Sequence, residues 1–324
     1  MFAKSLARSL ILLLLTGASA AAETWPVRPI TMIVPFPAGG PTDVLGRIVA
    51  ERLNPALRQS VVVENVSGAG GTIALARVAR AEADGYTVIV GNITTQVFSG
   101  AVYSTSYDLV EDFEPVILLS TAPSWLIARN NLPASTVREL VDWLRASAQK
   151  PLFATIGPGS PPHVWALLFQ EKTDTRFQLV PYRGGAPIYQ DLMAGRVDLT
   201  ELEASSTLPY VQSGKIRAYA VLGKTRWAAA PDVPTIEEAG LPGLELPYWT
   251  GLWVRKGTPR DVIIRLNAAV AEAMVDPGLR RRLTEMGQEI PTREQQTPQA
   301  LDTLQRAAIA KWWPITRAAN IRAE

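Results

Sequence analysis

Four glycine-bearing loops hold the residues best suited to chemistry. Phe36-Pro37-Ala38-Gly39-Gly40-Pro41-Thr42-Asp43 follows a β-rich run and precedes a helical pattern. Ser67-Gly68-Ala69-Gly70-Gly71-Thr72, Gly157-Pro158-Gly159-Ser160-Pro161-Pro162-His163 and Tyr182-Arg183-Gly184-Gly185-Ala186 repeat the arrangement. Glycine lets a backbone approach a ligand closely. The helix start that follows offers unpaired N–H groups and a positive partial charge, which together suit an anion. Thr42 is placed to cap its helix or to offer a hydroxyl to that anion, and Asp43 in the first turn suits the dipole. One such loop is also what an empty tight turn looks like. Recurrence in both halves of the chain favours an anion held between facing helix N-termini, at the carboxyl ends of strands. Nucleotides are a poor fit: no loop ends in Gly-Lys-Ser/Thr, and Ile73 stands where a dinucleotide fingerprint needs glycine.

Three further side chains stand out. His163, the single histidine, is placed either to donate to a ligand oxygen or simply to cap a helix. Arg183 is placed either to clasp a carboxylate bidentately or to remain solvated. Glu201 and Glu203 lie two apart on a strand end and so share a face. They could act as acid and base, bind an amine or hydroxyl, or form a solvated surface. One His and no Cys make metal sites, thiol chemistry and catalytic triads poor readings. No residue set points to a cofactor or a metal.

The elements that position these loops alternate. Strands are expected at 30–34, 61–63, 86–90, 116–119 and 125–128, with helices over 42–57 and 71–83. From about 123 the rhythm restarts, with helices at 136–148, 162–171, 186–194 and 208–213, and strands at 152–156, 177–180, 197–202 and 216–222. A strand at 249–254 and helices from 258, 277 and 297 follow. This is an α/β pattern, with mixed or parallel sheets flanked by helices. The crossings are expected near 119–125 and 221–226. Residues 23–122 and 226–324 then form domain 1, and 123–225 domain 2. Two crossings allow hinge closure around a ligand. Trp312-Trp313 is expected to pack on the first domain, and Arg280-Arg281-Arg282 to be a solvated face.

Composition narrows the classes. The 324 residues carry 32 Lys and Arg against 30 Asp and Glu. Two of the basic residues, Lys4 and Arg8, precede the apolar run Leu10–Leu15 and the small residues 16–22. That is the pattern of a secretory signal peptide over 1–22, ending at an Ala-x-Ala site. The apolar run is far shorter than the roughly 20 residues that span a bilayer. The remaining chain is charge-balanced, which argues against nucleic acid and polybasic membrane binding. An exported, periplasmic protein is expected.

Read in order, the motifs resemble those of the tripartite tricarboxylate transporter substrate-binding proteins, also called the Bug family. The resemblance rests on Arg28-Pro29-Ile30-Thr31, Val34-Pro35-Phe36, Gly39-Gly40, Thr42-Asp43, Val63-Glu64-Asn65, Asp84-Gly85-Tyr86-Thr87, Val180-Pro181-Tyr182, Gly195-Arg196-Val197-Asp198 and Pro231-Asp232-Val233-Pro234-Thr235. It implies a two-domain Venus-flytrap fold that binds a small organic acid, often a carboxylate, in its cleft for delivery to membrane transporter subunits. By position it puts ligand loops on Phe36–Thr42, Asn92–Gln96, Gly157–His163, Tyr182–Ala186 and Glu201–Ser205. The candidate binding residues are therefore Phe36, Ala38, Gly39, Gly40, Thr42, Thr94, Thr95, Gln96, Gly157, Gly159, Ser160, His163, Tyr182, Arg183, Gly184, Ala186 and Glu203. Leu202, flanked by Glu201 and Glu203, stands where family members often carry an Asp. A receptor of this kind is expected to be a monomer, because a hinge clamp needs free lobes. The alternatives are an exported enzyme using Glu201 and Glu203, and a receptor for a signalling system.

Overall fold

A computed structural model describes residues 24–321. The segment read as a signal peptide lies outside them. The first sheet begins with β1 (Ile30–Val34), whose Ile30, Met32, Ile33 and Val34 are all buried. A run apolar on both faces belongs in the middle of a sheet covered on each side. β1 indeed lies between β2 (Val61–Asn65) and β3 (Thr87–Asn92), parallel to both. Helices α1 (Pro41–Leu57) and α2 (Thr72–Ala79) make the crossovers. A π-helical turn, Thr94–Phe98, follows β3 and leads into the short α3 (Ser99–Val102). β4 (Phe113–Ala122) then ends at Pro123, one residue before β5 (Ser124–Arg129) opens the second sheet.

The second sheet holds β5, β6 (Leu152–Thr155), β7 (Gln178–Pro181), β8 (Leu199–Glu203) and β9 (Ile216–Val221), in the order β7-β6-β8-β5-β9. Between these strands run α4 (Val137–Ala146), α5 (Pro161–Thr173), α6 (Gly185–Met193) and α7 (Leu208–Gln212). β10 (Tyr248–Arg255) returns to the first sheet, antiparallel between β3 and β4, so that its order is β2-β1-β3-β10-β4. Helices α8 (Arg260–Ala273), α9 (Pro277–Glu285) and α10 (Pro298–Ala318) complete the described chain. Each sheet thus has four strands running one way and a single opposed strand, β10 in the first and β5 in the second, and the chain crosses between them twice.

The chain passes from the first sheet to the second at Pro123, between β4 and β5. After β9 the chain stays on the second sheet: Trp227 meets Trp125 edge-on at 5.7 Å, and Val221 bridges to Thr235. Burial of the Trp227 ring holds the segment after β9 against the second sheet. The return comes at Leu246–Tyr248. Ser124 Oγ donates to Leu246 O at 2.6 Å, and Leu246 N to Leu222 O, so the two passages run bonded side by side. As expected, Trp312 is buried against Phe98, with ring centroids 5.7 Å apart, and Arg280, Arg281 and Arg282 are exposed.

Candidate functional site

The loops that the sequence singled out meet between the two sheets. A cavity of about 640 Å³ is walled from the first sheet's side by Gly39, Pro41, Val44, Tyr248 and Met286. Ile156, Gly185, Ala186, Tyr189, Leu202 and Glu203 wall it from the second. A neighbouring cavity of about 470 Å³ shares Ile156 and takes in Phe36, Gly68–Gly71, Thr94, Ser99 and Pro158–Ser160. A small recess behind the larger cavity is lined by Thr42, Asn92, Glu203, Tyr248 and Gln288.

The donors facing these cavities differ from those expected. The Gly39 amide is already used, donating to Asp43 Oδ2 at 2.8 Å, and Gly40 N donates to Pro37 O. Gly40, not Thr42, is the N-cap of α1, and Thr42 is the second helical residue. Its hydroxyl accepts instead from Asn92 Nδ2 at 3.4 Å. The amides of Thr42 and Asp43 lie in the first helical turn, before the first i→i−4 bond from Val44 N to Gly40 O. In the loop before α5, Gly159 N donates to His163 Nδ1 and the Ser160 hydroxyl to Gly157 O. Pro161 and Pro162 have no N–H, so this helix start is poor in free donors. His163 therefore holds its own loop. Burial lowers its pKa, which favours the neutral ring that accepts from Gly159. α6 opens with Gly184 as N-cap, then Gly185 and Ala186, which line the larger cavity, and Pro187, which has no N–H.

Other candidates fall away from the cleft. Thr95 and Gln96 are fully buried on the inner side of the π-helical turn. Thr95 bonds to Asn92, and the Gln96 carbonyl accepts from Gln305 Nε2 at 3.1 Å. Of that loop only Thr94 lines a cavity. A π turn rotates side chains off the positions that a simple loop would give them. Tyr182 donates to Asp191 Oδ2 at 2.7 Å. Arg183 and Ala38 are exposed beside the cleft, and Gly157 and Gly184 shape the turns next to it.

Glu201 and Glu203 share a face of β8 but not an environment. Glu201 is fully buried, and burial pushes its pKa up to about 8. Tyr248 OH stands 3.5 Å from Glu201 Oε2, and Oε1 has no partner among the described residues. Sealed off in this way, Glu201 is no partner in acid–base work on a cleft-bound substrate. Glu203 reaches the cavity. Its Oε1 accepts from Gln288 Nε2 at 2.9 Å and from Ser205 Oγ at 3.0 Å.

Asp43 organises the first loop. Burial raises its pKa, yet hydrogen bonds from Arg47, Gly39 and Asn65 together hold the carboxylate below its usual range. Asn65 Nδ2 also donates to Phe36 O, which ties β2 to the loop. The sequence reading did not single out Asn65 or Gln288 as site residues. Asn65 stands in the Val63-Glu64-Asn65 motif and Gln288 in none, and each matters through a neighbour distant in the chain.

Comparison with known proteins agrees with this architecture. The model of the tripartite tricarboxylate transporter family receptor matches residues 45–321. MatC from Rhodopseudomonas palustris, solved with bound malate, is 36% identical and superposes with a TM-score of 0.78, covering 90% of this chain and 100% of that one. A second R. palustris protein, solved with adipate, is 35% identical with a TM-score of 0.79, covering 92% of this chain and 100% of its own. BugT from Bordetella pertussis is 35% identical over 260 residues, 80% of each chain. A match over nearly all of the described residues, on a fold of two mixed sheets with a cleft between them, means that this chain belongs to the receptor family of tripartite tricarboxylate transporters, the Bug solute receptors.

Proposed function

We propose that this receptor captures a small organic acid in the cleft between its sheets and delivers it to the membrane subunits of a tripartite tricarboxylate transporter. One observation carries the ligand class: α1 and α6, helices of opposite sheets, both begin at the larger cavity, which Gly39 and Pro41 line from one side and Gly185 and Ala186 from the other. Their dipoles favour an anion at that point, and the two sheets approach it from opposite sides. A ligand touching both sheets binds the closed form better than the open one, which is the condition for driving closure. Micromolar affinity needs about 8 kcal/mol. A few charge-assisted hydrogen bonds, each worth about 1.5–3 kcal/mol, together with apolar burial reach that figure. Relatives solved with malate and adipate support the acid class.

The proposed contacts are the amides of Thr42, Asp43, Gly185 and Ala186, with Thr94 and Ser160 lining the neighbouring cavity. Gly39 shapes the loop at φ +83, with no atom within 4 Å of the position a Cβ would take. Gly39→Val therefore acts through backbone strain and by covering the cavity wall. Calorimetry with an acid found by thermal-shift screening should show binding weakened about tenfold or more, roughly 1.4 kcal/mol. Unchanged affinity would remove this loop from the site. We also place the mature protein in the periplasm as a free monomer. Among the described residues no helix is long and apolar enough to cross a membrane. N-terminal sequencing of the protein from a periplasmic extract should begin at Ala21 or Glu23. A start at Met1 would refute export by cleavage.

A further inference from the structure

The segment after α9 is anchored to the first sheet but reaches the second. Glu289 N donates to Thr121 O of β4 at 2.7 Å, and Thr121 N returns the bond to Glu289 O at 2.9 Å. Gly287 lies against Ser205, just beyond β8. A Cβ on Gly287 would stand 2.2 Å from Ser205 Cβ and 3.2 Å from its Cα, nearer than packed side chains come. Gly287 also sits at φ +69, the left-handed region that glycine enters without steric cost. Gln288 uses both ends of its amide. Its Oε1 accepts from Ser120 Oγ of β4 at 2.8 Å, and its Nε2 donates to Glu203 Oε1 of β8 at 2.9 Å.

These contacts have a counterpart elsewhere along the cleft. Gly159, from the second sheet's side, meets Val102 of α3, where a Cβ would lie 2.4 Å from Val102 Cγ2. Met286 and Ser205 border the larger cavity, and Gly159 the neighbouring one. The two sides therefore touch beside each cavity, and each side contributes one of the glycines. Drawing the sides apart would break the bond from Gln288 to Glu203. It would leave the Ser120 bond and the Thr121 pairing intact, since both lie on the first sheet's side. A contact made in only one of two arrangements shifts the equilibrium toward that arrangement.

We infer that residues 286–289 form a latch across the cleft, with Gly287 and Gln288 as its positioning residues. The glycine lets the two sides come into contact, and the Gln288 amide holds them there with no ligand present. An acid then meets a population that already includes the closed arrangement, so less of its binding energy goes into closure. The latch belongs to the fold rather than to any one acid. Its test uses ligand-free protein, so failure of the carboxylate reading leaves it standing.

The chain has no cysteine, so Arg281→Cys on α9 and Gln190→Cys on α6 give two unique labelling sites. Both positions are exposed, and their helices belong to opposite sides of the cleft. Pulsed electron paramagnetic resonance on the spin-labelled, ligand-free protein reads their separation. The distribution should include the separation found in this structure. Gln288→Ala should lower the ratio of short to long distances about tenfold, the worth of one half-buried hydrogen bond. Gly287→Ala should remove the short distances. Ser205→Gly in the same chain should restore part of them, since it takes away the opposing Cβ but not the left-handed strain. A fault confined to the first sheet's side would lower thermal stability without moving the distances, and Ser205→Gly would not mend it. Wild-type distances lying only beyond those of this structure, or an unchanged distribution in Gln288→Ala, overturns the inference. Gln288→Ala decides the matter alone should Gly287→Ala fold poorly.

Discussion

At the scale of single residues, two carboxylates behave in opposite ways for one reason each. Among the described residues no cation acts on Glu201, which is buried on β8 facing Tyr248 of β10, Ser124 of β5 and its neighbour Glu203. Its folded pKa of about 8 lies above the ordinary glutamate value of 4.5. The native state therefore holds a proton that the unfolded chain gives up, and stability falls as pH rises between those two values. Glu201→Gln should flatten the curve of urea midpoint against pH over that window. An identical slope in the variant would show that Glu201 is ionised in the fold. Asp43 runs the other way. Its pKa is depressed below 3.8, so its contribution is present above that value and is lost as pH falls through the lower folded value. Asp43→Ala strands the Gly39 N–H and the Asn65 amide, and hydrogen bonds to a charged group are worth about 1.5–3 kcal/mol. Urea denaturation should show a loss of about 2 kcal/mol or more, with weaker acid binding because the loop is freed.

Elements determine how closely the two sheets' loops approach. Gly159, at φ +70 before α5, comes so near α3 that a Cβ would lie 2.4 Å from Val102 Cγ2. Gly159→Ala should hold the loops apart and lower affinity for the acid about tenfold. Val102→Ala in the same chain should recover part of that loss, since it relieves the clash but not the left-handed strain. Calorimetry giving wild-type affinity for Gly159→Ala alone would mean that closure does not need this approach. The last helix has a different task. α10 sets Trp312 against Phe98 and sends the Trp313 indole N–H to Val97 O at 2.8 Å, which secures the turn that carries Thr94. Trp312→Ala empties a fully buried site and should cost about 3–5 kcal/mol by denaturation.

At the scale of the molecule, two bonded crossings leave one line about which the sheets can turn. Gln288, just beyond α9, bonds Ser120 on the first sheet and Glu203 on the second, so the cleft floor itself bridges the lobes. A bound acid should draw the lobes together and reduce the radius of gyration in small-angle scattering. At a free concentration one hundred times the dissociation constant it should add about 2.7 kcal/mol to unfolding stability. Stabilisation without compaction would mean that the cleft binds its ligand without hinge motion.

Much of this was legible in the chain itself. Apolar runs bounded by Pro and Gly located the strands, and helical periodicity located α1, α4 and α10 to within a residue or two, because those signals are local. Thr136 and Thr297 are the N-caps of α4 and α10, and both accept from the amide three residues on. The glycine loops pointed to the cleft, since strand-to-helix turns at the ends of an α/β sheet fall on one edge. The tertiary structure decided which of their amides are free. Asp43 and His163 take up the glycine N–H groups of two loops, two prolines empty the start of α5, and α6 keeps the amides of Gly185 and Ala186 ahead of Pro187. It also decided that Glu201 is sealed while Glu203 is open, that the π turn turns Thr95 and Gln96 inward, and that Trp227 keeps the chain on the second sheet after β9. Each of those outcomes depends on partners far apart in sequence, and a hydrogen bond or a buried ring is assigned only when the fold brings both halves together.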